Sequence, residues 1–224
     1  MTSRRTVCAL ALPAFPLALL VGSLIAPTDS TDNATQLVAA AHHGDRWGAA
    51  AFCELLAAVL LPFAVAGVVQ VVRERGATLA NVGGVLGVLG TIGMAAIGFR
   101  HVFIYGMAGV DQAQALHALD RVDDFFGPPV LLTMFCAPFA LIVLAFAASR
   151  AGLVARWVPA AAILFFVSDM LPIPGAEELQ GVLGLGTFGL IAYVLLGGAE
   201  PAERSALTAS SRSRLGGGQS VAES

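Results

Sequence analysis

The sequence predicts an all-α polytopic membrane protein, a bundle of six transmembrane helices with a short amphipathic outer helix. Three observations predict it. Hydrophobic residues make up 57% of the 224 and the mean hydropathy is +0.81, which leaves too few polar side chains to cover a water-soluble globule of this length. Charged residues are 12%, about half the share usual in soluble domains. Six runs are almost free of charge and approach the ~20 apolar residues that a helix needs to cross a hydrocarbon layer of ~30 Å. They cover residues 7–26, 47–72, 79–99, 128–148, 157–173 and 179–199.

The first run follows Arg4 and Arg5, as a signal peptide would, but it is longer than a usual signal core and Pro27 opposes cleavage. It is expected to remain as the first span. The second run is interrupted by Glu54 and the fifth by Asp169. Nine of the 12 arginines (Arg4, Arg5, Arg73, Arg75, Arg150, Arg156, Arg204, Arg212 and Arg214) fall on one side of a six-span arrangement, with four acids. The other side holds Arg46, Arg100 and Arg121 against nine acids. Short cytoplasmic loops retain basic residues, so both termini are expected in the cytoplasm of a cell-membrane protein.

Two outer loops carry helix signals. In the first, Asn33 and Gln36 are spaced as a capping box, 37–41 is helix-forming, Gly44 can end the turn and Asp45 can cap the second span. In the second, Asp111 and Gln114 are a capping box and Gly127-Pro128-Pro129 a stop. Between them Ala115, Leu116, Leu119, Val122 and Phe126 recur at helical spacing. An amphipathic outer helix over 112–126 is expected, with Leu116, Leu119 and Phe126 facing the bundle or the interface. Residues 1–199 thus form the six-span domain. The tail 200–224 is rich in Ser, Gly, Arg and Glu and is expected to be disordered and cytoplasmic.

Gly83, Gly87 and Gly90 in the third run share a helix face and are expected to pack against a neighbouring helix, because small residues let spans approach closely. Pro62, Pro138 and Pro159 permit kinks. Cys8, Cys53 and Cys136 have neither CxxC spacing nor a clustered His, so no metal site and no cofactor is read. The net charge of −3 argues against a nucleic-acid partner. The basic residues are all Arg, and the abundance of Ala, Gly, Val and Leu points to a GC-rich bacterial genome.

The lead-in His42-His43-Gly44-Asp45-Arg46-Trp47, the Arg-Glu-Arg turn at 73–75 and the glycine-rich third run resemble the uncharacterised six-helix integral membrane proteins of actinobacteria, a domain of unknown function. The likeness covers about residues 5–198. It implies a fold and a location and carries over no catalytic or binding residue.

Ionisable groups within a membrane are costly and mark function by default. Glu54, Arg100, His101 and Asp169 form the candidate intramembrane charge cluster, all at comparable depth in the outer half. Three readings of this cluster stay open. In a structural or regulatory membrane component, Arg100 pairs with Glu54 or Asp169 to fix helix register. In a small transporter or proton-coupled permease, Glu54, Asp169 and His101 line an ion path. In a membrane-embedded metal-dependent enzyme, His and carboxylate ligands bind a metal, though no HExxH or comparable spacing is present. The partners implied are the lipid bilayer and either another membrane protein or a second copy of the chain.

Overall fold

The computed structural model describes residues 2–28, 30–72, 76–169 and 176–196. Seven helices cover them and no strand occurs among them: α1 Thr2–Ile25, α2 Asn33–His42, α3 Gly44–Val71, α4 Ala77–Met107, α5 Gln112–Arg150, α6 Val158–Asp169 and α7 Ala176–Leu195. The six longer helices pack in cyclic order, α1 on α3, α3 on α4, α4 on α5, α5 on α6, α6 on α7 and α7 back on α1. Short α2 lies across one end, touching α3, α4 and α5.

Alanine is concentrated inside, among a few large side chains such as Leu61, Ile104 and Phe188. The packed interior is rich in alanine, with Ala9, Ala57, Ala80, Ala140, Ala145 and Ala162 at most 0% exposed, whereas Phe52, Val59, Val85 and Phe135 point outward and are 64%, 58%, 64% and 59% exposed. Water would penalise an apolar coat of this extent, and lipid does not. Among the described residues four helices, α1, α3, α4 and α5, are long and apolar enough to cross a membrane. The apolar stretches of α6 and α7, Val158–Ser168 and Val182–Leu195, are shorter. The fifth and sixth runs read from the sequence extend into residues 170–173 and 197–199, which lie outside the described residues, as does the tail 200–224.

The expected helix over 112–126 forms, but it does not stop at Gly127-Pro128-Pro129. It continues as one 39-residue helix, α5. Proline's fixed φ is a helical value, so its cost is a missing donor and a kink, not an obligatory end. Asp124 and Phe125, the carbonyls deprived of those donors, are both exposed. At ~1.5 Å per residue α5 is ~58 Å long, about twice a hydrocarbon layer. Its first turns therefore extend past the apolar bundle beside the end of α4. There Leu37, Ala40, Trp47, Ile104, Ala115 and Leu119 make a second small core beneath α2. Leu116 packs on that core and Phe126 is half-buried, while Asp120, Arg121 and Asp124 are exposed, as the amphipathic pattern requires.

The caps differ in part from expectation. Asp111 caps α5 by accepting from the Ala113 and Gln114 amides. For α2 the cap is Asp32, not Asn33: its carboxylate accepts from both the amide and the hydroxyl of Thr35. The Thr35 hydroxyl and then its amide hold the Asp32 carboxyl below its usual range. Asn33 is drawn away by Arg100 and Asp123. Nor does Gly44 end α2 or Asp45 cap α3. His43 alone separates the two helices, its N–H bonded to the Ala39 carbonyl and its own carbonyl to the Trp47 amide.

The turns at the other end depend on glycine. Gly76, with φ 96°, starts α4, and a Cβ there would stand 2.7 Å from the Ala147 carbonyl oxygen. Gly152, with φ 71°, ends α5 in a Schellman motif, the Gly152 amide bonded to Ser149 O and the Leu153 amide to Ala148 O.

The expected glycine seam is buried, and it serves two neighbours. A Cβ on Gly83 would stand 2.8 Å from Leu144, one on Gly90 2.7 Å from the Ala137 Cα, and one on Gly87 2.6 Å from Val65. Gly83 and Gly90 thus admit α5, and Gly87 admits α3. Gly184 in α7, which the sequence did not single out, admits Phe165 and Pro16.

Gly90→Ala is expected to destabilise the bundle by about 1–3 kcal/mol, since backbone rather than a flexible side chain must give way. Gly186→Ala, where nothing stands within 4 Å, is expected to be neutral or mildly stabilising. Thermal or denaturant unfolding in detergent compares the two. In a background lacking Cys8, Cys53 and Cys136, cysteines at 120, 121 and 124 should label readily with an impermeant thiol reagent and those at 115 and 119 should not. Uniform labelling would contradict the packed face of α5.

Candidate functional site

The chemistry-bearing residues gather at the end of the bundle where α2 lies, and they divide into two groups on successive residues of α4. Arg100 and His101 are neighbours in sequence, so their side chains leave the helix ~100° apart and meet different partners.

Arg100 faces α5 and α2. Its Nε donates to Asp123 Oδ1 at 2.6 Å and its Nη2 to Asp123 Oδ2 at 3.4 Å, a two-pronged carboxylate contact. Nη1 donates to Gln36 Oε1 at 2.9 Å, and Nη2 also to Asn33 Oδ1 at 2.6 Å. The Asn33 amide closes the ring by donating to Asp123 Oδ2 at 2.9 Å, and the Gln36 amide donates to the Ser30 carbonyl at 2.7 Å. The Arg100 side chain is 15% exposed and that of Asp123 36%. The network ties α2, α4 and α5 together. Sequence reasoning expected Glu54 or Asp169 as the partner of Arg100. The structure gives that place to Asp123, because α5 runs unbroken past the end of α4.

His101 faces α3. Its Nδ1 lies 2.5 Å from Glu54 Oε2, with side-chain exposures of 20% and 26%. The Trp47 indole N–H donates to the His101 carbonyl at 3.0 Å, and the two rings meet edge to face with centroids 5.4 Å apart. Glu54 Oε1 makes no hydrogen bond among the described residues. Asp169 ends α6, and its side chain lies outside the described residues.

Two clefts flank His101 and Gln36. One, of about 310 Å³, runs between α1, the loop before α2 and α3, with Ser23, Thr28, Ser30, Thr31, Trp47 and Glu54 in its wall. The second, of about 330 Å³, lies between α4 and α5, with Arg100, Asp123 and Phe126 in its wall. Among the described residues no group of three or more His, Cys, Asp or Glu side chains could hold a metal ion.

Asn33, Gln36 and Asp123 were missed as members of this network. A signal was available: Asp123 falls four residues after Leu119 and three before Phe126, a carboxylate inside the apolar stripe. The chain matches no protein-family model, no curated protein and no solved structure.

Arg100→Ala is expected to cost about 2 kcal/mol, less than for a fully buried pair because Asp123 is partly exposed. Adding Asp123→Asn to it should recover part of the loss, whereas adding Glu54→Gln should not. Unfolding midpoints of the three variants check the pairing.

Proposed function

We propose that this chain is a six-span protein of a bacterial cell membrane, with both termini cytoplasmic, that acts as a structural or regulatory membrane component, with lipid and either another membrane protein or a second copy of itself as partners. The observation that carries the reading is the saturation of Arg100. Four hydrogen bonds to Asp123, Gln36 and Asn33 leave its guanidinium little to offer a substrate, and they lock the end of the bundle where α2 lies. A group so committed fixes register and holds α2 in place. Orientation is supported by the arginine asymmetry, nine against three between the two sides.

A second reading, a small proton-coupled or ion-coupled permease, is favoured by a different observation: the Glu54–His101 pair forms part of a cleft wall and is not sealed in the core. The metal-dependent enzyme draws no support from the arrangement of the described His and carboxylate groups.

Reporter fusions after residues 75, 152 and 205 are expected to report cytoplasm, and fusions near 40, 115 and 176 the opposite side. A single inverted reporter would overturn the six-span arrangement. Gradient-driven uptake in proteoliposomes that Glu54→Gln abolishes, with folding kept, would replace the structural reading by the permease.

A further inference from the structure

The geometry points to a binding site for a small organic ammonium ion in the cleft between α1 and α3, with the Glu54 carboxylate as its counter-ion. This goes beyond the structural reading of the Arg100 network, and it holds whichever number of spans is correct.

Charge comes first. With the imidazole neutral, His101 Nδ1–H donates to Glu54 Oε2, so the pair keeps one negative charge, and the second carboxylate oxygen makes no hydrogen bond among the described residues. The other ionised groups at this end do not cancel it. Arg100 is neutralised by Asp123 and faces away from α3. Arg46 is exposed to solvent, its Nε donates to the Ile25 carbonyl, and among the described residues it makes no salt bridge to Glu54. With a neutral imidazole as its partner, a carboxylate that is only 26% exposed attracts a cation.

The wall then decides which kind of cation. Ser23 donates its hydroxyl proton to the Leu20 carbonyl, and the Thr28 and Ser30 hydroxyls accept from the Ser30 and Asp32 amides, so each of these oxygens in the cleft lining keeps acceptor capacity for an ammonium N–H. The same cleft is also lined by Ala26, Ala50, Ala51 and the Trp47 indole. A bare metal ion would ask for a tight shell of oxygens and would leave most of about 310 Å³ unused. An amine with a short alkyl body uses both kinds of lining: N–H groups to Glu54 and the hydroxyls, carbon against the alanines and the indole.

Trp47 reports on binding directly. The protein has two tryptophans, and Trp157 is 58% exposed, so Trp157→Phe leaves Trp47 as the one emitter. In detergent or nanodiscs at about pH 8, where an ordinary imidazole is neutral, n-butylammonium chloride is expected to change Trp47 emission saturably. Glu54→Gln, which keeps a hydrogen bond to His101, should weaken binding about tenfold or more, as the loss of one charge-assisted hydrogen bond does. Thr31→Lys, at an exposed loop position in the same wall, places a tethered ammonium group in the cleft and should block the probe equally. If Glu54→Gln fails to fold, as judged by size exclusion and circular dichroism, Thr31→Lys alone decides. Unchanged binding in a folded variant, an equal response to sodium chloride or to 1-pentanol, or no saturable response in the folded parent would each overturn the site.

Discussion

Every contact at the α2 end depends on how closely α4 approaches its two neighbours. Apolar side chains gain nothing by leaving lipid for one another, so such a bundle is held by close packing and by the few polar contacts it makes. On α4 the close packing is glycine against backbone or branched side chain. Going along α4, Gly83 meets Leu144, Gly90 meets Ala137 and Gly93 meets Thr133, so the partner number on α5 falls as that on α4 rises. Continued to Arg100, this antiparallel packing stops about one turn short of Asp123, a gap that the long arginine side chain spans. On the other flank Gly87 meets Val65 and Gly98 meets Leu55, and continuing in that register brings His101 to Glu54. Both polar pairs follow from where the glycines let the backbones touch. A larger residue in the seam would displace Arg100 and His101 along with the helix.

Much of this was legible. Hydrophobic runs marked α1, α3, α4 and the apolar part of α5, because a lipid-facing helix needs apolar residues on every side and the signal does not depend on period. The glycine seam could be read for the same reason: few other demands place three glycines on one helix face. Which neighbour each glycine admits could not be read, since helix spacing gives a direction around α4 but not the position of α3 or α5. The turn chemistry was legible at Asp111, where no competing partner intervened, and misread at Asn33, whose side chain is claimed by Arg100 and Asp123 from far along the chain.

The partner of Arg100 shows what depth arguments leave out. Ranking ionisable residues by their level in a span put Glu54 and Asp169 beside Arg100, and level says nothing about azimuth. Asp123 falls in the outer helix that Gly127-Pro128-Pro129 was expected to end, apart from the spans that carry Glu54, Arg100 and Asp169. Two prolines in a row remove two donors, yet where the freed carbonyls belong to exposed residues the helix can continue with water as the alternative partner. Once α5 is continuous, the carboxylate in its apolar stripe meets α4, where the guanidinium it pairs with is that of Arg100.

The two pairs on α4 differ in what they leave unspent. Arg100 has five donor hydrogens; four contacts within α2, α4 and α5 use most of them, and its charge is matched by a carboxylate at 2.6 Å. Where the imidazole is neutral, the His101–Glu54 pair is matched in geometry and not in charge, because His101 then supplies a donor without a cation. Desolvating a carboxylate on those terms is unfavourable unless some cation or water completes it. The fold could have buried the pair under alanine as it did Ala57 and Ala58 on the same helix. Glu54 lines a cleft instead, with the hydroxyls of the loop before α2 in the same wall. Clasp and cleft share Gln36, which accepts from Arg100 and donates to the Ser30 carbonyl, so the residue that helps hold α2 down also braces the wall facing Glu54. Stability at this end and the shape of the cleft are therefore set by the same few hydrogen bonds.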